Sequence, residues 1–453
     1  MIKFFLIVFL SIISSTSHAN FKNIPKFKNN IYPFELWLNK NNYRDYLSNE
    51  KLGNTNYFKT NLNPRPRPNK WGIDFSSNPT RDTLIYYIYK YQYANFSGDG
   101  STRQYDKFEV KPSKKPLNFE FNLRKDMFLK KQMRTKAILS YLLYEDGKIV
   151  KDEITPKEKF GDFINNETKL RSQSMGKSLV SYIVGHAICA GYIDSVHSPI
   201  NDWPILENTL YHNQKLINIL NMNSGDQKYV FGDVHRSGDE ISDKTLDTNL
   251  IFYMKNKKRG KPTYNYTVMN TIIALNYVQF KTKKNFENLL NEIFQKKAKI
   301  ENSVFFFKNR PYSLSTSNEN FDDVSANPMF YATRYDYLRI AKAILDDWQN
   351  DTCVGKYLKE IYSERIPKNI NPNDDIRVEP RFNRTYSYGG QFHLEYPGLK
   401  NRKVFGMGGY GGRAILIDVE TGTIVVLNSL HYNNSRYKYN HKKLLIDPIK
   451  NSR

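Results

Sequence analysis

The chain has 453 residues, of which 40% are hydrophobic and 14% aromatic, with two cysteines and a formal net charge of +23. This balance excludes a collagen, a disulfide scaffold and a wholly disordered chain, each of which needs a different apolar, Gly/Pro or Cys content. The length allows two or three domains, or one large catalytic domain with an extension.

Residues 1–19, MIKFFLIVFLSIISSTSHA, carry one charge at Lys3, an apolar run from Phe4 to Ile13 and a polar stretch ending Ser17-His18-Ala19. This reads as a signal peptide cut after Ala19, because the apolar run is about half of the ~20 residues that a membrane span requires. The expected localisation is periplasmic. The 68 Lys and Arg against 45 Asp and Glu are spread from Lys22 to Lys450 without a dominant run. Such a distribution reads as a solvated basic face, with weak association to anionic cell-envelope polymers and no nucleic acid as partner.

From Asn20 to about Lys130 there is no repeat and little periodicity, and the segment 20–130 is taken as an N-terminal extension of unknown role. Residues 61–68 and 111–116 are Pro-rich and read as extended connectors. Between them Thr83–Tyr89 is rich in β-branched and aromatic residues, which fits a strand or a short helix equally. The domain expected to carry function is 131–453.

Ala137–Tyr144 is a largely apolar strand candidate that leads through Asp146-Gly147 into Ile149-Val150. Asp-Gly supplies the positive φ of a tight hairpin turn. Ser174–Tyr192 is apolar nearly all round, which predicts a helix buried on most sides, ended by Gly191. Cys189 lies in this run and reads as a small core residue, although a disulfide with Cys353 is permitted in an oxidising compartment. Thr333, followed by Asp336 and by apolar residues at helical spacing, predicts a second, capped helix. Tyr386–Leu394 and Arg413–Asn428 read as strands, the latter turning at Glu420-Thr421-Gly422. Strands at both ends of a helical middle predict an α+β fold, an antiparallel sheet with helices on its faces, rather than a Rossmann-like alternation.

The chemistry is concentrated in Ser172-Gln173-Ser174-Met175-Gly176-Lys177-Ser178. Ser174 and Lys177 stand at i and i+3 on the first turn of the buried helix and share a face. A serine hydroxyl needs a base to take its proton, and a lysine serves as that base when burial favours its neutral form. The helix N-terminus also offers free N–H groups to developing negative charge. Eight scattered histidines without an HExxH or CxxC pattern give no metal site.

With these residues the chain resembles the serine β-lactamase and penicillin-binding superfamily, in particular the class C β-lactamase-related branch of esterases, D-amino-acid peptidases and 6-aminohexanoate-oligomer hydrolases. The resemblance runs in order over about 131–430. Tyr144–Val150 is similar to the early hairpin, Ser174–Ser178 to the nucleophile motif, and Ala190–Asp194 with Pro199-Ile200 to its continuation. Ile219–Gly225 is similar to the "LLxMxSG" stretch and Tyr264–Thr271 to the tyrosine motif.

The resemblance implies a β-lactamase/transpeptidase-like sheet flanked by helices with a helical subdomain. It implies Tyr266 as the third catalytic residue, relaying a proton between Ser174, Lys177 and the leaving group. Val268 stands where many members carry Asn, and Asn270 matches a variant of the esterase and amide-hydrolase branch, which makes it a substrate-binding candidate. Phe405–Gly412 corresponds to the strand that lines the site. The resemblance aligns Met407-Gly408-Gly409 with the family's Lys/His-Thr-Gly triplet and implies that the N–H groups of Ser174 and Tyr410 would form the oxyanion hole. Gly408, Gly409 and Gly411 are the other substrate-binding candidates. Losing the basic residue of the triplet removes the usual anchor for a β-lactam or peptide carboxylate. A hydrolase of an ester or amide small molecule is therefore expected, acting through an acyl-enzyme on Ser174 with no metal or organic cofactor. A penicillin-recognising D-amino-acid peptidase or β-lactamase, and a catalytically silent cell-envelope binding protein, are the alternatives.

Overall fold

The structure is a computed structural model that describes residues 95–96, 102–103, 107–161, 164–231, 234–235, 254–308, 326–368, 385–399, 401–430 and 438–452. The signal reading over 1–19, the Pro-rich stretch at 61–68 and the Thr83–Tyr89 segment lie outside these residues.

The hairpin predicted around Asp146-Gly147 forms as β3 (Ile138–Glu145) and β4 (Lys148–Ile154). Asp146 and Gly147 both take positive φ, 49° and 80°, as a two-residue turn matched to the strand twist requires. Ahead of it run β1 (Lys107–Val110), β2 (Glu120–Phe121) and α1 (Met127–Thr135), capped by Asp126, whose carboxylate accepts from the Leu129 N–H. After it come β5 (Leu170–Arg171), α2 (Met175–Cys189), α3 (Leu216–Leu220) and α4 (Val268–Thr282). The chain continues through β6 (Val304–Lys308), β7 (Ala326–Ala332), α5 (Arg334–Gln349) and α6 (Cys353–Ser363). Six strands close it: β8 (Ile366–Pro367), β9 (Ser387–Gly389), β10 (Phe392–Leu394), β11 (Val404–Gly409), β12 (Arg413–Asp418) and β13 (Ile424–Ser429).

Nine strands form the main sheet in the order β8-β9-β10-β11-β12-β13-β3-β4-β2. Every pairing is antiparallel except the edge pair β4–β2. Side chains alternate between two apolar layers. Ile415, Ile417, Ile424 and Val426 point to the layer that holds α2, α4 and α5, whereas Ala414, Leu416, Val425 and Leu427 point to the layer of α1 and the C-terminal turns. Helices on both faces explain why these strands read as continuous apolar runs. The expected α+β architecture is present.

A second sheet, β1-β6-β7-β5, joins residues from what the sequence assigned to an extension. Phe108 and Val110 of β1 are core residues, and the Ser113 and Leu117 N–H groups bond the Ile300 and Lys299 carbonyls. Residues 111–116 are thus pinned to the body of the fold rather than acting as a connector. Among the described residues Lys107–Val110 already pair into this fold, ahead of the boundary at 131.

α2 has the all-round burial that its sequence predicted, with twelve of its residues buried. Its end is tied to α6. Cys189 and Cys353 form a disulfide with Cα atoms 5.8 Å apart, so Cys189 is a cross-link and not only core filler. The Ser181 and Tyr357 hydroxyls are 2.7 Å apart, and a Cβ on Gly185 would lie 2.5 Å from the Tyr357 ring.

Candidate active site

The sequence places Ser174 at the entrance to α2, and the structure shows how the backbone is bent to do so. β5 ends at Arg171, the Ser172 N–H donates to the Phe330 carbonyl of β7 while the Ser172 hydroxyl oxygen accepts from the Phe330 N–H, and Gln173 adopts a left-handed φ of 51°. A non-glycine residue in that region stores strain that the surrounding packing must hold. Ser174 follows at φ −65°, ψ −8° as the cap of α2, half-buried and making no side-chain capping bond. Gly176 allows the helix start to pack tightly, since a Cβ there would lie 2.0 Å from the Pro328 carbonyl oxygen.

Lys177, one turn further, is only 4% exposed. Its Nζ lies 5.1 Å from the centroid of the Tyr266 ring. Tyr266 is half-buried on the loop that enters α4, next to the cap Thr267. The first turn of α2 and the start of α4 therefore bring together an amine and a phenol that are far apart in sequence.

The Tyr266 loop is anchored by the buried carboxylate of Asp226. Asp226 accepts from Asn265 Nδ2 at 2.8 Å, Tyr211 Oη at 2.9 Å and Asn270 Nδ2 at 3.1 Å. Burial pushes the Asp226 carboxyl above its ordinary value, and these donors oppose the shift. Asn270 was a substrate-binding candidate, but it has no exposed surface and its amide nitrogen also donates to Thr267 Oγ1 at 2.8 Å. It ties the loop to α4 and presents no amide nitrogen to a substrate.

On the sheet side, β11 runs against the strained segment. A Cβ on Gly409 would lie 2.6 Å from the Ser172 carbonyl oxygen, so only glycine permits the approach. Tyr410 opens the turn that follows, with Gly411 and Gly412 at φ 92° and 83°. The turn is held by Gly412 N–H to Gly409 carbonyl at 3.1 Å and by Ser429 and Tyr439 hydroxyls donating to the Gly411 and Gly412 carbonyls. Gly408 and Gly409 are buried strand residues, and Gly411 is half-buried in the turn. Met407 faces the apolar layer beside α2.

Sequence reasoning missed a group of residues behind Tyr266. His393 on β10 stacks on the Tyr266 ring, centroids 6.2 Å apart and planes 26° apart. Its Nδ1 is 2.7 Å from the Nζ of Lys368, which follows β8 and also bonds Thr385 Oγ1. Tyr388, paired with His393 across β9 and β10, sets its ring edge-on to both Tyr266 and His393. Burial holds the Tyr264 and Tyr388 phenols well above their ordinary value, so both stay protonated. No local motif marks Lys368 or His393. The one available signal was a polar His within the apolar strand Phe392–Leu394.

A nine-stranded, almost wholly antiparallel sheet carries a buried helix across it, which opens on a serine and a lysine one turn apart, and the arrangement of sheet and helices is a β-lactamase-like fold. Among solved structures, the chain is similar to a Bacillus anthracis protein provisionally named a 6-aminohexanoate-dimer hydrolase, with TM-score 0.54, 14% identity, and coverage of 85% of this chain and 97% of that one. It is also similar to a Bacteroides dorei DSM 17855 protein provisionally named a β-lactamase, with TM-score 0.50, 12% identity, and coverage of 72% and 95%. No family model matches the sequence, and no curated protein matches it.

Proposed function

We propose that this protein is an exported serine hydrolase that cleaves an ester or amide bond through an acyl-enzyme. Ser174 attacks the carbonyl, Lys177 takes the hydroxyl proton, and Tyr266 passes it to the leaving group. The N–H groups of Ser174 and Tyr410 hold the oxyanion, a contribution of about 3–4 kcal/mol per donor in the transition state. Water then cleaves the ester on Ser174, with the same groups moving the proton in reverse.

One observation carries the reading: Lys177 is sheltered from water on the same helical turn as Ser174, with its amine against the ring of Tyr266. Removing an ammonium from water disfavours its charged form, which is what a general base requires. The preference for an ester or amide without a recognised carboxylate rests on Met407, whose side chain is in the core where a basic anchor would stand. Export to the periplasm is supported by the Cys189–Cys353 bond, since such bonds persist in oxidising compartments.

The test is fluorophosphonate labelling of fractionated cells expressing wild type, Ser174→Ala or Lys177→Ala, with a fluorescent penicillin in parallel. The expected outcome is a labelled band in the periplasmic fraction for wild type and none for either variant. Labelling by the penicillin would instead favour the D-amino-acid peptidase or β-lactamase. Lack of any adduct with either probe would favour a silent binding protein.

A further inference from the structure

Lys368 is an unusual place for a lysine. It is 5% exposed, and its amine lies 5.9 Å and 5.7 Å from the centroids of the Tyr264 and Tyr388 rings while bonding Thr385 and His393. His393 is 4% exposed and stacks on Tyr266. A continuous path therefore runs from Lys368 through the imidazole to Tyr266 and on to Lys177, whose amine lies over the same phenol ring.

We propose that Lys368 and His393 are positioning residues for the acylation step: Lys368 donates to Nδ1, fixes the imidazole as its Nε2–H tautomer, and so holds a neutral ring in one plane against Tyr266. This rests on the hydrolase reading given above. The tautomer of a histidine is set by the bond that its other nitrogen makes. The Lys368 amine donates one hydrogen to Thr385 Oγ1, and donating another to Nδ1 leaves the ring proton on Nε2. Protonation of the ring would turn Nδ1 into a donor, which reverses that bond or, while Lys368 is charged, breaks it, and would add charge beside Lys177 and Tyr266.

The groups facing His393 agree with a ring kept neutral. Burial, Lys368 and Lys177 all push the His393 imidazole well below its ordinary value, and its other aromatic neighbours, Tyr266 and Tyr388, are phenols. Among the described residues Thr385, Tyr264, Tyr388 and His393 face Lys368, and burial pushes its amine well below the ordinary lysine value. Replacing Lys368 by methionine removes one of the groups that keep His393 neutral, so the ring protonates at higher pH.

The experiment measures maximal fluorophosphonate labelling rate and probe affinity against pH for wild type, Lys368→Met, His393→Phe and the double variant, with ring-carbon NMR shifts of histidine-labelled protein. In wild type the His393 shifts are expected to report a neutral Nε2–H ring between about pH 6 and 8. Lys368→Met is expected to lower the maximal rate about tenfold with affinity unchanged, because a displaced relay group costs rate rather than binding. Its acid limb moves to higher pH. His393→Phe keeps a ring against Tyr266, and adding Lys368→Met to it is expected to leave the acid limb where it is, because Lys368 acts through His393. An Nδ1–H ring in wild type, or a Lys368→Met profile that overlays wild type, overturns the proposal. A wild-type protein that is never labelled defeats the hydrolase reading instead, and the ring shifts then decide the pair by themselves.

Discussion

Asp226 illustrates how much of this site is decided by single side chains that never touch a substrate. Its two oxygens take hydrogen bonds from Asn265, Tyr211 and Asn270, which lie on either side of Tyr266 and on a preceding loop. Asp226→Ala would take the acceptor from the Tyr211 hydroxyl and one of two hydrogen bonds from each of the Asn265 and Asn270 amide nitrogens, and a buried orphan polar group costs about 1–3 kcal/mol. The expected outcome is a loss of about 3 kcal/mol in urea unfolding, allowing for partial relaxation, together with slower Ser174 labelling because the Tyr266 loop loosens. Asp226→Asn, which keeps one acceptor, should fall between. Unchanged stability and rate in Asp226→Ala would show that the loop is held by something else. Asp226 follows the Ser224-Gly225 pair that the sequence singled out, yet nothing local told that its partners are Asn265 and Asn270. The same uncertainty made Asn270 look like a substrate group: a motif fixes a residue type at a position, whereas the direction of its amide depends on which acceptor packs there.

At the scale of elements, α2 was the most legible feature, because all-round apolarity over Ser174–Tyr192 leaves burial as the only stable outcome. Its attachment was less legible. Tyr182 Oη donates to Asp347 at 2.6 Å, and His186 sits edge-on to Tyr182 with ring centroids 4.6 Å apart. Burial lowers the His186 imidazole from 6.5 to about 4, with Lys297 acting in the same direction and Asp347 against it. A histidine depressed in the folded state adds stability that is present above its unfolded value near 6.5 and is lost as pH falls toward 4. The stability difference between about pH 7 and 4.5 should therefore shrink by about 2 kcal/mol in His186→Leu, a figure reduced for the ring's partial exposure. Paired urea titrations check this. The slope will flatten without vanishing, because His393 is depressed in the same direction. Parallel slopes for the two proteins would mean that His186 titrates normally.

For the whole molecule, the question is where the folded unit begins. Sequence periodicity pointed to about 131, since nothing between Asn20 and Lys130 shows a repeat or a helical period. The structure puts β1 (Lys107–Val110) at the edge of the second sheet, beside β6, with Phe108 and Val110 in the core. That sheet ends in β5, whose last residue, Arg171, comes three positions before Ser174. Asp126, between β2 and α1, pairs with Lys151 of β4 at 2.5 Å. A chain starting at residue 131 is expected to be about 6 kcal/mol less stable than one starting at 107, from the loss of three buried side chains, Phe108, Val110 and Leu129, at about 2 kcal/mol each. Equal melting of the two chains would return the boundary to 131. Strands of four and two residues, flanked by Pro-rich segments, carry too little periodicity to be seen until their partners are known.

The sequence by itself determined what depends on neighbours along the chain. The Asp146-Gly147 turn, the capping threonine of α5, the burial of α2 and the spacing of Ser174 and Lys177 follow from backbone preference and helical period, which act over a few residues. Tertiary structure alone decided what depends on distance through space. The Cys189–Cys353 bond spans 164 residues, the Lys368–His393 pair joins segments on either side of β9, and Asn270 turns inward to Asp226. A polar side chain's partner is fixed only when separate elements pack and water is excluded, because until then water satisfies every donor and acceptor about equally well.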